Sequence, residues 1–245
     1  MRHPDQWRTT GPHTRTDPTR PPRSPCGHGR CSSGTPIPAT VWVCGRSPSD
    51  LDVGWPPLVV QTIVASFTGP GGYVVLLPWP TPIPITPALL DHELQDALSA
   101  VWSLDCTAQV IHTERKPDQC GGTAGADLVI TSLRPEHSGD RASDRVASAA
   151  ARLLRTGGVL AVLTHSDWSQ GQLVDPTGAL VTAAQNADLL YLQHIVVVHA
   201  AVRGGEFLID NPHPRPCAQP TTHRRIHTDL LVFAQPHDHQ AIPLP

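Results

Sequence analysis

The stretch Ser143–Leu163 reads SDRVASAAARLLRTGGVLAVL, and its two halves have different periods. Val146, Ala149, Ala150, Leu153 and Leu154 recur at the spacing that stacks side chains on one helical face, which predicts a helix over 143–156. Gly157-Gly158 supplies the stop, because glycine accepts the backbone conformations a helix end requires. Val159 to Leu163 then runs without a polar residue, the pattern of a strand buried on both faces as in a parallel sheet. A helix that feeds directly into such a strand is half of a β–α–β unit.

Working outward, the same units recur. Towards the N-terminus, Asp127-Leu-Val-Ile-Thr131 and Tyr73-Val-Val-Leu-Leu77 read as buried strands, and Ala108–His112 as a short one. Leu90, Leu94, Ala97, Leu98 and Val101 predict a helix from Ala88 to Trp102. Pro56-Pro57 opens a further helix, with Leu58, Ile63 and Phe67 as its stripe and Thr68-Gly-Pro-Gly-Gly72 as its end. Pro78–Pro87 holds five prolines and is excluded from regular structure. Towards the C-terminus, Asp175-Pro176 starts a helix to about Ala187, and Thr164–Trp168 is a strand-end loop. Strands follow at Leu189–His199, Phe207–Ile209 and Asp229–Phe233, with a turn at Arg203-Gly-Gly-Glu206. A parallel neighbour needs a crossover, usually helical, so these last strands are expected to pair antiparallel. The predicted fold is α/β: a Rossmann-like, doubly wound, mostly parallel sheet with an antiparallel C-terminal edge hairpin.

Composition bounds the rest. The chain has 245 residues and a formal net charge of -3. Residues 1–38 carry Arg2, Arg8, Arg15, Arg20, Arg23 and Arg30 against Asp5 and Asp17, so a basic leader precedes an acidic body. The expected division is a disordered, Pro-rich leader (1–38), one α/β domain (39–236) and a flexible tail (237–245). The leader offers contact with DNA or another nucleic acid, against a plain reading as solvated chain. Arginine outnumbers lysine so heavily, beside so much Ala, Gly and Pro, that GC-rich codon usage explains it better than phosphate binding. No apolar run approaches the ~20 residues of a membrane span, and the N-terminus has no signal-peptide core. A cytoplasmic protein is expected. Six cysteines are too sparse for a disulfide scaffold. Cys26-Gly-His28-Gly-Arg-Cys31 lacks a paired second half for zinc, and His237-Asp-His239 reads as a polar tail. Lys116 is the only lysine, and no phosphate-binding P-loop, G-x-S-x-G elbow or H-E-x-x-H occurs.

The ordered segments resemble the class I S-adenosylmethionine-dependent methyltransferases, and among them the DNA amino-methyltransferases. Pro56–Gly72 resembles the helix and Pro-Gly turn before the cofactor strand, and Val74-Val-Leu-Leu-Pro78-Trp79 resembles that strand. Asp127-Leu-Val-Ile-Thr-Ser132 resembles the strand leading to a catalytic P-P-Y. Leu153–Val162 and His227–Phe233 resemble the later helix-strand unit and the closing strand. The resemblance implies S-adenosylmethionine as cofactor and an exocyclic amino group as acceptor.

The motifs depart from the family where its chemistry sits. Leu77 stands where the family has an acid, and Pro80, Pro82 and Pro84 occupy its glycine-rich loop. Glycines there let the backbone approach the cofactor, whereas prolines add bulk and remove N–H donors. The catalytic motif reads Ser132-Leu133-Arg134-Pro135, keeping the small polar residue and losing both prolines and the aromatic. The resemblance maps Ser132 and Arg134 to the catalytic position, with Arg134 open between an anion partner and a solvated loop residue. Pro78, Trp79 and Glu114 map to the cofactor site, Glu114 as the ribose or adenine acid or as a surface residue. His165 and Trp168, just beyond a strand's carboxyl end, are candidates for the substrate pocket. These departures imply weakened or absent cofactor binding and weakened or lost catalysis. The alternative is a non-catalytic binding or interaction module on the same fold.

Overall fold

A computed structural model describes residues 40–44, 53–79, 87–112, 125–133, 140–169, 172–203, 206–208 and 225–236. The leader, the C-terminal tail, Glu114, Arg134, the Cys26–Cys31 cluster and the prolines at 80, 82 and 84 lie outside these residues. The elements, in chain order, are β1 (Val41–Val43), α1 (Pro57–Phe67), β2 (Tyr73–Leu76), α2 (Pro87–Trp102), β3 (Thr107–Val110) and β4 (Ala126–Ser132). They continue with α3 (Asp140–Leu153), β5 (Leu154–Thr164), β6 (Asp167–Ser169), β7 (Gln172–Val174), α4 (Thr177–Asn186), β8 (Leu190–Val198), β9 (Ala201–Arg203), β10 (Glu206–Leu208) and β11 (His227–Ala234).

A seven-stranded sheet in the order β1-β8-β11-β5-β4-β2-β3 organises the chain. β2 pairs parallel with β3 and β4, β4 with β5, and β1 with β8. β11 runs antiparallel between β5 and β8. This is the expected Rossmann-like, mostly parallel sheet with an antiparallel C-terminal pair. β1 adds a strand the sequence did not announce, on the outer side of β8. Two short antiparallel hairpins, β6–β7 and β9–β10, stand apart from the main sheet.

Both faces are covered, as the apolar runs require. Val59, Val60, Ile63 and Val64 of α1 and Leu94, Ala97 and Val101 of α2 pack on Leu76, Leu128, Ile130, Leu163 and Leu230. Val146 and Ala150 of α3 and Leu180 and Ala184 of α4 pack on Val75, Val129, Leu160, Leu231 and Phe233. A buried side chain of this kind contributes ~1.5–3 kcal/mol relative to exposure, which is why unbroken runs such as Val159–Leu163 end up between two helical layers.

Two local expectations shift. Leu58, placed on the buried stripe of α1, is exposed, and the stripe turns to Val59, Val60, Ile63 and Val64. The helix α3 ends at Leu153, before the glycines, and β5 begins at Leu154. Gly157 has a positive φ of 76°, and a Cβ on Gly158 would lie 2.8 Å from the Ala126 carbonyl oxygen. The glycine pair therefore serves a close strand crossing rather than a helix stop, with an irregular register between Ala126 and Leu128. Among the described residues no helix is long and apolar enough to cross a membrane. Cys44 and Cys106, the cysteines within these residues, are buried thiols.

Candidate functional site

The carboxyl ends of β2, β4, β5 and β8 share one edge of the sheet with the amino end of β11. Doubly wound sheets place ligands at such an edge, outside the strand ends. A small, solvent-open recess lies there. Val53, Gly54 and Pro56, just ahead of α1, close one side of it. Ser132 of β4 with Leu133 just after it, Leu163 and Thr164 of β5 with His165 just after them, and Thr228 of β11 close the rest.

Each polar side chain is set by strand alternation. Ser132 follows Ile130 by two residues and so shares its sheet face, the one covered by α1 and α2. His165 follows Leu163 in the same way, and Thr228 precedes Leu230. Gly54 sits among them because a Cβ there would be 3.1 Å from Glu93 Oε2 and 3.6 Å from Ser132 Oγ. The Gly54 N–H donates to Glu93 Oε2 at 3.0 Å, tying α2 to the approach of α1. Behind Thr228, the buried His199 brings Nε2 to 2.9 Å from Thr228 Oγ1.

On the α3–α4 face a second polar group forms beside the recess. The Asp229 carboxylate, nearly buried, lies 2.8 Å from His194 Nε2 and 3.9 Å from His227 Nε2. Asp175 faces the same group. The Thr177 backbone N–H and hydroxyl, the Ser166 hydroxyl and the nearby His194 hold its carboxyl below the ordinary range against a smaller opposing effect of burial. Among the described residues no group of three or more His, Cys, Asp or Glu side chains is placed to hold a metal ion.

The residues nominated from the sequence separate. Ser132 and His165 meet in the recess. Pro78 and Trp79 are buried at the end of β2, with Trp79 packed among Leu77, Ile111 and Leu133 on the α3 side. Trp168 stands on β6 opposite Leu173, 60% exposed and outside the recess lining. Glu114 and Arg134 lie outside the described residues. Sequence reasoning missed Gly54, Glu93, His199 and Thr228. The signal for Thr228 was present as the polar His227-Thr-Asp229 start of an otherwise apolar strand.

The end of β2 is tied into the sheet. Leu77, where the resemblance implies an acid, is fully buried, and its N–H is spent on the Ile130 carbonyl at 2.8 Å. Leu133, where the resemblance implies the first catalytic proline, is a core residue whose N–H bonds the Leu163 carbonyl. The buried Trp79 Nε1, also at the end of β2, has no partner among the described residues. Among the described residues, the end of β2 (Leu77, Pro78 and Trp79) carries no carboxylate that would hold S-adenosylmethionine.

No protein-family model matches the sequence, and no curated protein matches it. Solved structures are similar to it at low scores. One is a chain of the complex between the Haloferax volcanii Trm112 methyltransferase activator and a methyltransferase. It is 16% identical, with 79% of this chain and 94% of that chain covered and a TM-score of 0.45. A second is an S-adenosylmethionine-dependent methyltransferase from Methanosarcina mazei, 8% identical over 71% of this chain and 96% of that one, TM-score 0.40. A third is a TehB-like S-adenosylmethionine-dependent methyltransferase from Corynebacterium glutamicum, 12% identical over 71% and 86%, TM-score 0.39. Likenesses at these scores assign no chemistry, which has to be argued from the site.

Proposed function

We propose that the chain is an S-adenosylmethionine-dependent methyltransferase-like protein, related to the DNA amino-methyltransferases, in which methyl transfer is weakened or lost. The observation that carries this reading is the contrast at one edge of the sheet. A recess persists around Ser132, His165 and Thr228, while the end of β2 is closed by Leu77, Pro78 and Trp79. Such a protein keeps an acceptor-side pocket and loses cofactor affinity. The same closure favours the second reading, a non-catalytic binding module on this fold. DNA or another nucleic acid is the partner proposed for the basic leader, with retention that falls steeply as salt rises.

Calorimetric titration of the full chain with S-adenosylmethionine tests the reading. The expected result is millimolar affinity or no measurable heat. Micromolar affinity that is lost in Trp79→Phe, which removes only the indole N–H, would show a working cofactor site and overturn it.

A further inference from the structure

The helices on the two sides of the sheet differ in the sign of their charge. α2 reads PALLDHELQDALSAVW, with Asp91, Glu93 and Asp96 and no Lys or Arg. α3, on the other side, carries Arg141, Arg145 and Arg152. At ~100° and ~1.5 Å per residue, these three fall within about 40° of one another around the helix and extend about 16 Å along it. They lie opposite Val146, Ala147, Ala150 and Ala151, which bury the inner face of α3. Codon usage sets how many arginines a chain has, not which helical face they share.

All three arginines are exposed. Arg145 Nε donates to the Arg141 carbonyl at 3.4 Å, and none of the three makes an ion pair among the described residues. Asp144 flanks the row, exposed and likewise without an ion pair. The next arginine, Arg155, is instead spent on Asp127. α4 packs beside α3 and reads TGALVTAAQN, so the neighbouring helix brings no charge to neutralise the row.

The spacing selects the partner. Arg141 and Arg145 stand one turn apart, whereas Arg152 is about 10 Å further along, so the three match a series of anions rather than one. A nucleic-acid strand offers a negative charge every ~3.4 Å of axis, and the guanidinium fork meets phosphate oxygens in pairs. A lipid surface attracts cations too, but an interfacial helix inserts an apolar face, and that of α3 is already buried on the sheet. The basic leader joins β1 at the edge of the sheet where α3 ends, since β1 runs parallel to β8, and β8 and β5 both run antiparallel to β11.

We propose that the outer face of α3 is a nucleic-acid docking surface, on which Arg141, Arg145 and Arg152 hold the phosphate backbone without reading its sequence. The row lies across the sheet from α1 and α2, so it retains a polynucleotide without a part in methyl transfer. It is separate from the leader, whose proposed contact with nucleic acid can fail on its own.

Fluorescence anisotropy of a mixed-sequence DNA duplex, titrated with the full chain across salt concentrations, tests it. Each phosphate contact contributes a slope of about 0.9 in log K against log salt, so Arg141→Gln, Arg145→Gln and Arg152→Gln together should flatten it by about 2.7. Glutamine and arginine have similar helix propensities, so the urea midpoint should stay in place. Lysine at the same three positions should keep the slope, because charge sets counterion release. Asp144→Asn should strengthen binding. Replacing Arg2, Arg8, Arg15, Arg20, Arg23 and Arg30 with glutamine should leave the share of α3 intact. Loss of all binding in that leader variant, with no change in the α3 variant, would overturn the proposal and leave the leader reading standing. Equal retention of polyglutamate, or of phosphatidylserine–phosphatidylcholine vesicles, in place of DNA would overturn it as well.

Discussion

The two ends of the same parallel strands treat polar atoms in opposite ways. At the amino ends they are spent on holding the sheet together. Asp127 at the start of β4 accepts the Tyr73 N–H of β2 at 2.8 Å and the Arg155 side chain of β5 at 2.6 Å. Gln235 donates through Nε2 to the Ala151 carbonyl at 2.7 Å, closing β11 onto α3. At the carboxyl ends, Trp79 Nε1, Thr131 Oγ1 and Thr164 Oγ1 are buried without partners among the described residues. Gln235 Oε1 is the exception at the amino end. The difference separates a clamp from a site: paired atoms contribute stability, whereas orphaned ones give it up and leave donors and acceptors for something else.

Glycines at the two ends should give the largest contrast. A Cβ on Gly158 would lie 2.8 Å from the Ala126 carbonyl oxygen and 2.9 Å from that of Arg155. Both are backbone atoms in paired strands and cannot retreat. Gly158→Ala should therefore cost about 1–3 kcal/mol, read as a lower denaturant midpoint at unchanged slope. Gly54→Ala meets only the side-chain oxygens of Glu93 and Ser132, which can rotate away. Its cost should stay below about 1 kcal/mol while the geometry of the recess changes. Equal losses for the two variants would break the distinction between a fixed clamp and an adaptable site.

The clamp carries a pH signature of known sign. Burial alone would raise the Asp127 carboxyl, but the Tyr73 N–H and then the hydrogen bond and charge of Arg155 hold it below the reference value of 3.8. A depressed folded-state value means that the stabilisation is complete above the unfolded carboxylate pKa and is lost as pH falls through the lower folded one. Arg155 is half exposed, so solvent screening limits the pair to about 1 kcal/mol or less. Asp127→Asn keeps an acceptor for Tyr73 and should cost no more than that, by an amount constant near neutrality and shrinking in acid. Asp127→Ala also removes the acceptor and should cost about 1–2 kcal/mol at neutral pH. Unfolding curves across pH check both, and a gap between wild type and Asp127→Asn that widens in acid would contradict the assignment.

Legibility in the sequence follows the same division. Apolar period was sufficient wherever burial set the structure. The runs at 73–77, 127–131 and 159–163 became β2, β4 and β5, and the missing crossover before the closing strand predicted antiparallel β11. Burial is a sum over many residues and tolerates local exceptions such as exposed Leu58. The site depends on single atoms brought together across β4, β5, β11 and the end of β8, which no local period encodes. Ser132 and His165 were visible because each follows an apolar run directly. Thr228, His199 and Gly54 were not, since their roles exist only after β11 inserts between β5 and β8. The glycine pair at 157–158 was misread for the same reason. Its close neighbour, Ala126, lies thirty-odd residues away in sequence and becomes adjacent only through the ladder.

The smallest effect should also be the one with reversed sign. Thr131 is fully buried, and its hydroxyl has no partner among the described residues. Replacing a buried, unsatisfied hydroxyl with a methyl of the same shape removes a desolvation cost and loses no hydrogen bond. Thr131→Val should thus be neutral or stabilise by up to about 1 kcal/mol. The corresponding removal of a polar group at the amino end, Asp127→Ala, destabilises. Thr164→Val should behave as Thr131→Val does, since its hydroxyl is also buried without a partner among the described residues. A loss of 1 kcal/mol or more in both valine variants would mean that their hydroxyls are satisfied in the folded protein, and the two edges of the sheet would then be built alike.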